Sequence, residues 1–335
     1  MNDIAKQDKK AFVREDLKVG VRIFLMELLY PVESDLRRAA EILRKGGIVA
    51  LPTETVYGLC CDAFNEEAVE RIYDIKRRPK NKPLIVGVGR VEEIHEIAEV
   101  NETAERLIRE FFPGPLTLIL KNKKIPSIVT GGSEKVAIRM PAHEIPLRLL
   151  RLFRGPLVVP SANISGRPSP TKLEHVLSDF GDTLDAVIVG ECSIGIESTI
   201  LDVTSSPAKL IRPGAVSSDI LKKFVEIEQC EDTFGQYEIS AEVYVFVGER
   251  VEESIRSYLS RYEDAVVIAR KDVYGGKVIE VGESLESYAS NLFDALRRAE
   301  KMGAKIILVE GIEEKGIGEA IMHRLYKSAK NVVRV

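Results

Sequence analysis

The sequence predicts an α/β protein of two units, a large one on a twisted, mixed sheet and a smaller one behind it. Three observations point there. Short apolar runs recur between Ile48 and Val203, with helical segments between several of them. A polar stretch without a clear period, Glu226 to Ser240, then breaks the pattern. Beyond it strands and helices alternate, the mark of an α/β unit. A length of 335 residues suits two domains, and 45% hydrophobic residues suffice for a sizeable core.

In order along the chain, Ser34 or Asp35 is placed to cap a helix whose apolar face is Leu36, Ala39, Ala40 and Leu43. Gly46-Gly47 stops it, and Ile48 to Leu51 reads as a buried strand. Glu66 to Ile75 is a second amphipathic helix, with Val69, Ile72 and Tyr73 on one face. Strands are expected at 84–88, 116–120, 136–139, 157–159, 186–189 and 199–203. In the second unit, strands at 243–247, 265–269, 277–281 and 306–309 alternate with helices, one of them long and starting at Ser284, in a Rossmann-like order. The predicted division is 30–225, a linker over 226–241, and 242–335. Gly87-x-Gly89 lacks the third glycine of a dinucleotide fingerprint, and no Gly-x4-Gly-Lys-Ser/Thr phosphate loop occurs.

The net charge of -4 argues against a protein that coats nucleic acid through bulk electrostatics. Any RNA contact must come from a local basic patch. The cysteines, Cys60, Cys61, Cys192 and Cys230, have no zinc-site spacing and read as thiols in a reducing compartment. Met1 to Gly20 is charged throughout, unlike a secretory signal, and the apolar Val21 to Tyr30 is too short to span a bilayer. A cytoplasmic protein without a membrane partner is expected.

Chemistry concentrates in a few segments. Pro160-Ser161-Ala162-Asn163-Ile164-Ser165-Gly166 follows the apolar Leu157-Val158-Val159, so a loop of hydroxyls and a carboxamide stands at a strand end, where ligands bind. Ser161 lacks a Gly-x-Ser-x-Gly elbow and a nearby His, so ligand binding is preferred to a nucleophilic role. Lys76 to Lys82 carries five cations in seven positions, stiffened by Pro79 and Pro83. It is either a solvated helix end or a phosphate grip, with Arg78 forking onto oxygens and Lys76 acting as a point charge. Thr53, Glu54, Thr55 and Tyr57 crowd the loop after the 48–51 strand, as an ordinary turn or a small-molecule cradle. Arg212, at a strand exit before Pro213-Gly214, suits an anion or purine contact, or is a surface arginine. His143 stands beside Arg139-Met140-Pro141 and lines the site or, like His95, His175 and His323, packs elsewhere. No metal pattern is present.

Taken in order, these segments are similar to the YrdC-like threonylcarbamoyl-AMP synthase family in its longer, two-domain form. The matching residues are Pro52 to Leu59, Lys76-x-Arg78-Pro79, Pro83-Leu84, Phe112 to Thr117, Arg139-Met140-Pro141, Pro160 to Gly166, Ser169-Pro170-Thr171, Gly195 to Thr199 and Arg212-Pro213-Gly214. Gly316 to Met322 and Arg324-Leu325 extend the likeness into the second unit. The resemblance implies a twisted sheet around a central, positively lined cavity. It implies that L-threonine, bicarbonate and ATP react to threonylcarbamoyl-AMP and pyrophosphate, for threonylcarbamoyladenosine (t6A) in tRNA. It further implies a core of Lys76, Arg78, Ser161 and Asn163, with Arg78, Lys82, Ser161, Asn163, Ser169, Arg212 and Tyr237 toward ATP. Threonine is then expected at Thr53, Thr55, Arg139, Ser198 and Thr199. Mg2+ would ride on the phosphates, with no protein ligand named, and the product would pass to the downstream t6A transferase machinery, with room for a weak tRNA contact.

Three positions depart from the family pattern. Lys82 stands where many members carry Asn, Gly87 where a His is frequent, and the linker keeps only Tyr237 of a Lys-Tyr-x-His-Tyr-x-Pro run. Two rival readings use the same basic cavity: an RNA-binding module for tRNA, and carbamoyl transfer from carbamoyl-phosphate. The second would be accompanied by Cys-rich acceptor segments and an acylphosphatase-like region, which the sequence lacks.

Overall fold

The computed structural model describes residues 26–181, 183–230, 235–262 and 264–335. Its first sheet runs, edge to edge, Glu27–Leu29, Ala186–Ile188, Val49–Leu51, Gly58–Asp62, Leu157–Val158, Ile85–Gly87, Lys135–Arg139, Leu116–Asn122, Thr199–Asp202, Ala208–Arg212 and Ile227–Gln229. The short Ala98–Glu99 pairs beside Leu116–Asn122. Parallel and antiparallel pairs mix, as predicted: Thr199–Asp202 runs parallel to Leu116–Asn122, which runs antiparallel to Lys135–Arg139. The central strands are buried on both faces, which is why they appear in the sequence as continuous apolar runs rather than alternating ones.

The second sheet is wholly parallel, in the order Val278–Glu280, Val266–Ala269, Ile306–Glu310, Glu242–Val247 and Asn331–Arg334. Its strands sort their residues by parity. Val243, Val245, Ile307 and Val309 pack with helices Leu285–Lys301 and Ile317–Ser328, whereas Phe246 and Leu308 pack with helix Val251–Leu259 on the other face. Helices on both faces of a parallel sheet give the Rossmann-like layering. Ser284 caps the long helix by accepting from Ser287 N at 3.0 Å.

The structure corrects four local expectations. Helix Glu33–Arg44 begins at Val32 without a side-chain cap, and Asp35 instead accepts from the upstream Tyr30 N at 3.0 Å. Gly58–Asp62 is a strand, so the loop read from Pro52 ends earlier than supposed. The linker does not start as irregular chain: Ile227–Gln229 pairs parallel with Ala208–Arg212, and residues 231–234 lie outside the described ones. Asn331–Arg334 adds a final strand on the exposed edge. No helix among the described residues is long and apolar enough to cross a membrane.

The two sheets do not have separate cores. Val56 and Ile196, from loops of the first sheet, are packed into the apolar cluster of the second, against residues such as Tyr288 and Phe293. A Cβ on Gly195 would meet Ser290 Cα at 2.4 Å, so only glycine allows this approach. Polar pairs stitch the same seam, the first of them buried on both sides. Arg297 pairs with Asp179 at 2.6 Å, Arg167 with Glu300 at 2.9 Å, and Asp294 takes both His175 and Lys172.

Candidate active site

A cleft opens over the middle of the first sheet, where parallel and antiparallel strand pairs meet. Thr53, Thr55, Gly58, Gly87, Arg139, Ser161, Glu197, Ser198 and Arg212 are among its lining residues, with Val56, Tyr57, Ile85, Pro141 and Val159 giving it apolar walls. A few fixed polar groups on an apolar surface are what a small-molecule site requires.

The 52–59 loop forms one wall through its own hydrogen bonds. Thr53 Oγ1 donates to Val56 O at 2.7 Å and accepts from Thr55 N and Val56 N. Its proton being committed, the 2.8 Å contact with Thr55 Oγ1 must be donated by Thr55. Thr55 Oγ1 in turn accepts from Arg139 Nη1 at 2.9 Å. The Arg139 guanidinium is held on its other sides by Gly114 O at 3.1 Å and by Glu54 at 2.6 Å. Glu54 Oε1 also accepts from Ala142 N, so one buried carboxylate fixes both the arginine and the chain just after it. Tyr57 OH closes the loop onto Gly190 O at 2.6 Å.

The 160–166 loop is zipped to this wall by backbone. Leu59 N donates to Pro160 O and Ala162 N to Tyr57 O, which places Ser161 in the cleft opposite Gly58. From beneath, Lys76 Nζ donates to Ser161 O at 2.5 Å and to Asn163 O at 2.7 Å. Helix Glu66–Lys76 is capped by Asn65 and ends at left-handed Arg77, so its last turn delivers Lys76 under the loop. Lys76 is 1% exposed; burial, aided by the charge of Arg78, pushes its amine down to about 7 despite Asp179. Asn163 donates to Ile164 O and Arg167 O, leaving its Oδ1 a buried acceptor without a partner.

The cationic cluster is therefore not one patch. Lys76 turns inward, Arg78 is half-buried with its fork on Lys82 O and Pro83 O, Lys80 pairs with Glu70, and Lys82 is exposed. Lys76, Arg78, Lys82, Asn163, Ser169 and Tyr237 do not line the cleft itself, whereas Thr53, Thr55, Arg139, Ser161, Ser198 and Arg212 do. Thr199 lies just behind, donating to Val216 O at 2.6 Å. His143 caps helix Glu144–Phe153 rather than lining the cleft.

The far wall is built from Gly195 to Thr199 and Arg212 to Gly214. Arg212 donates to Ser198 O through Nε and Nη2, and Ser198 Oγ lies 2.8 Å from Thr117 Oγ1. Glu197 carries the charge of this wall. Ser169 Oγ donates to it at 2.6 Å, Tyr237 OH reaches it at 3.4 Å, and Arg324 of the second unit pairs with it at 3.0 Å. Burial alone would raise the Glu197 carboxyl, but Arg324, Arg212 and the Ser169 hydroxyl outweigh it and hold it at about 2. Burial likewise pushes the Tyr237 phenol up and brings Arg212 down to about 10.

Glu54 and Tyr57 belong to the loop the sequence offers as a cradle but carry no assigned ligand there, and the network pair Glu197 and Arg324 has no role in the sequence reading. A carboxylate inside an otherwise uncharged run, as in Thr-Glu-Thr-Val-Tyr-Gly and Gly-Ile-Glu-Ser-Thr, was the available signal, because a buried charge requires a partner. Among the described residues no group of three or more His, Cys, Asp or Glu side chains is arranged to hold a metal.

The Sua5/YciO/YrdC family model, described as "Telomere recombination", matches residues 41–214. A second, described as "Threonylcarbamoyl-AMP synthase, C-terminal domain", matches residues 232–330. Threonylcarbamoyl-AMP synthase of Pyrococcus abyssi is 41% identical over 321 residues, spanning 89% of this chain and 94% of the relative. The Bacillus subtilis protein of the same name is 34% identical over 323 residues, spanning 89% and 93%. The crystal structure of P. abyssi Sua5 complexed with L-threonine is similar with a TM-score of 0.88 and 38% identity, over 92% of this chain and 99% of the other.

Proposed function

The chain belongs to the Sua5/YciO/YrdC family, and from that premise we propose that it is an ATP-dependent L-threonylcarbamoyladenylate synthase, a nucleotidyltransferase. The threonine amine, in its deprotonated form, adds to CO2 with release of a proton, or to bicarbonate with release of water, giving a carbamate. A carbamate oxygen then bonds to the α-phosphorus of ATP as the bond to the β-phosphate bridge breaks, and pyrophosphate leaves. The carbamate and ATP are both anionic, so the protein's task is to neutralise, align and exclude water, with no covalent nucleophile.

The observation that carries this reading is one cleft holding two separately braced arginines, Arg139 and Arg212, with Ser161 and Ser198 beside them. Arg139, braced by Glu54 and Thr55, takes the threonine carboxylate, and the Thr53–Thr55 loop with Ser198 and Thr199 encloses the amino acid. The relative solved with L-threonine supports this end of the assignment. Arg212 takes the nucleotide end, with Ser169 and Tyr237 acting on it through Glu197. Ser161 and Asn163 shape the loop over the phosphates, Lys76 holds that loop from below, and Arg78 and Lys82 sit at its outer margin. Mg2+ would be bound through phosphate oxygens, since the two carboxylates beside the cleft, Glu54 and Glu197, already pair with arginines. Catalysis is assigned to the unit over 30–225, with 226–241 as linker and 242–335 backing the cleft. The product would go to a t6A transferase; a weak contact with tRNA is compatible with this reading.

Pyrophosphate release tests the proposal, assayed with threonine, serine and no amino acid, each with and without bicarbonate. Release should require threonine and bicarbonate together. Equal release without threonine would overturn it.

A further inference from the structure

One motif of the second unit plays no part in the chemistry above. Arg324 lies on helix Ile317–Ser328, behind the first sheet, and is 1% exposed. Its guanidinium reaches out of its own unit in two directions. Nε pairs with Glu197 Oε2 at 3.0 Å, and Nη1 donates to Pro213 O at 2.5 Å. It therefore bridges the two segments that make the far wall of the cleft, Gly195–Thr199 and Arg212–Gly214. Those segments touch so closely that a Cβ on Gly214 would lie 2.3 Å from Thr199 N. Both display groups into the cleft, Ser198 from one and Arg212 from the other.

We propose that Arg324 is a positioning residue for the reaction, by which the second unit ties together the two segments of the far wall and locks Ser198 and Arg212 in place. The proposal rests on the synthase reading. Its physical content is that the second unit is a component of the pocket, beyond merely covering it. Val56 makes the same point in apolar form, lining the cleft on one side and packing into the second core on the other.

Among the described residues, several charged or titratable groups face Glu197. Arg324 approaches from helix Ile317–Ser328, Arg212 from strand Ala208–Arg212, and Tyr237 from the segment before the second sheet, with the Ser169 hydroxyl from the loop below. His323 Nδ1 lies 3.1 Å from Arg324 Nη1, and Arg139 stands near Arg212. With Arg324 removed, burial is opposed mainly by Arg212, so the Glu197 carboxyl rises toward the working pH range.

The test is the pH dependence of kcat/KM for pyrophosphate release in Arg324→Met and Arg324→Lys, with far-UV circular dichroism to verify folding. Arg324→Met should lose at least tenfold at pH 7.5 and show an acid limb that the wild-type profile does not have, falling as Glu197 protonates. Arg324→Lys restores the charge without the fork, so the acid limb should vanish while part of the rate loss remains. Glu319→Ala removes a different contact between the units, the bond it accepts from Ser218 N, and should leave rate and profile unchanged. An Arg324→Met protein with a wild-type profile, altered only in melting temperature, would overturn the proposal. Should Arg324→Met not fold, Glu197→Gln/Arg324→Met removes both charges. That protein should be slow with no acid limb, and wild-type turnover by it would equally overturn the proposal. Wild-type protein without threonine-dependent release would overturn the synthase reading, and this inference with it; with wild-type turnover established, the Arg324 variants decide the inference alone.

Discussion

Lys76→Met keeps the side chain's length and deletes its nitrogen, so it isolates what that nitrogen does. In its neutral form the amine has two N–H bonds, and the fold supplies two carbonyls, Ser161 O at 2.5 Å and Asn163 O at 2.7 Å. Losing both leaves two interior acceptors unpaired, at about 1–3 kcal/mol each. Near neutrality a second effect opposes this one. Burial, with the charge of Arg78, holds Lys76 at about 7 in the fold, against 10.5 for an ordinary lysine. Between those values the unfolded chain binds more protons than the folded one, so the wild type gains stability as pH rises from about 7 to about 10.5. At ~1.36 kcal/mol per unit the gain is on the order of 4 kcal/mol, and the methionine variant lacks it. The variant should therefore stand close to the wild type near pH 7 and fall several kcal/mol below it near pH 10. Its activity should be low at both, because the 160–166 loop has lost its support. Urea unfolding followed by far-UV circular dichroism from pH 7 to 10 measures this, the chain having no Trp to report by fluorescence. A stability difference that does not change with pH would refute the reasoning.

Two further outcomes can be checked. Glu197, held at about 2 rather than 4.5, contributes stability that is fully present above pH 4.5 and lost as pH falls toward 2. Glu197→Gln should lack that acid limb and, with Arg324 and Arg212 left facing a neutral group, should cost about 3–5 kcal/mol at pH 7, read from thermal melts. Arg139→Lys keeps the charge but loses the fork that meets Gly114 O, Thr55 Oγ1 and Glu54 together. Threonine binding should weaken about tenfold or more while ATP binding stays within about twofold, both by calorimetry. An equal loss for both ligands would place Arg139 elsewhere in the cleft.

How far the chain could be read without its structure depended on the range of the interaction. Strands such as Ile85–Gly87 and Leu116–Asn122 were legible because burial on both faces writes them as local apolar runs. The final strand Asn331–Arg334 was not, being largely exposed and recruited only by its pairing with Glu242–Val247. Lys76 was recognised but its direction was missed, although the clue was present. It continues the stripe Val69, Ile72, Tyr73 at helical spacing and so belongs to the buried face of its helix, whatever its charge suggests. Six of the site residues the sequence suggested do line one cleft, since adjacent strands bring them to the same edge. The partnership of Glu197 with Arg324 was out of reach, because neither flanking sequence names the other across a separation of 127 residues.

That separation also has a meaning in time. Ribosomes add roughly 5–20 residues per second, so Glu197 exists for about 6–25 s before Arg324 is made. During that interval Glu197 has only Arg212 of its own unit to offset its charge, and Val56 and Ile196 have no apolar bed to enter. The half-made polypeptide thus displays a greasy, acidic flank to whatever surrounds the exit tunnel. The wall that carries Ser198 and Arg212 is complete only once the last helix, with Arg324, has been made.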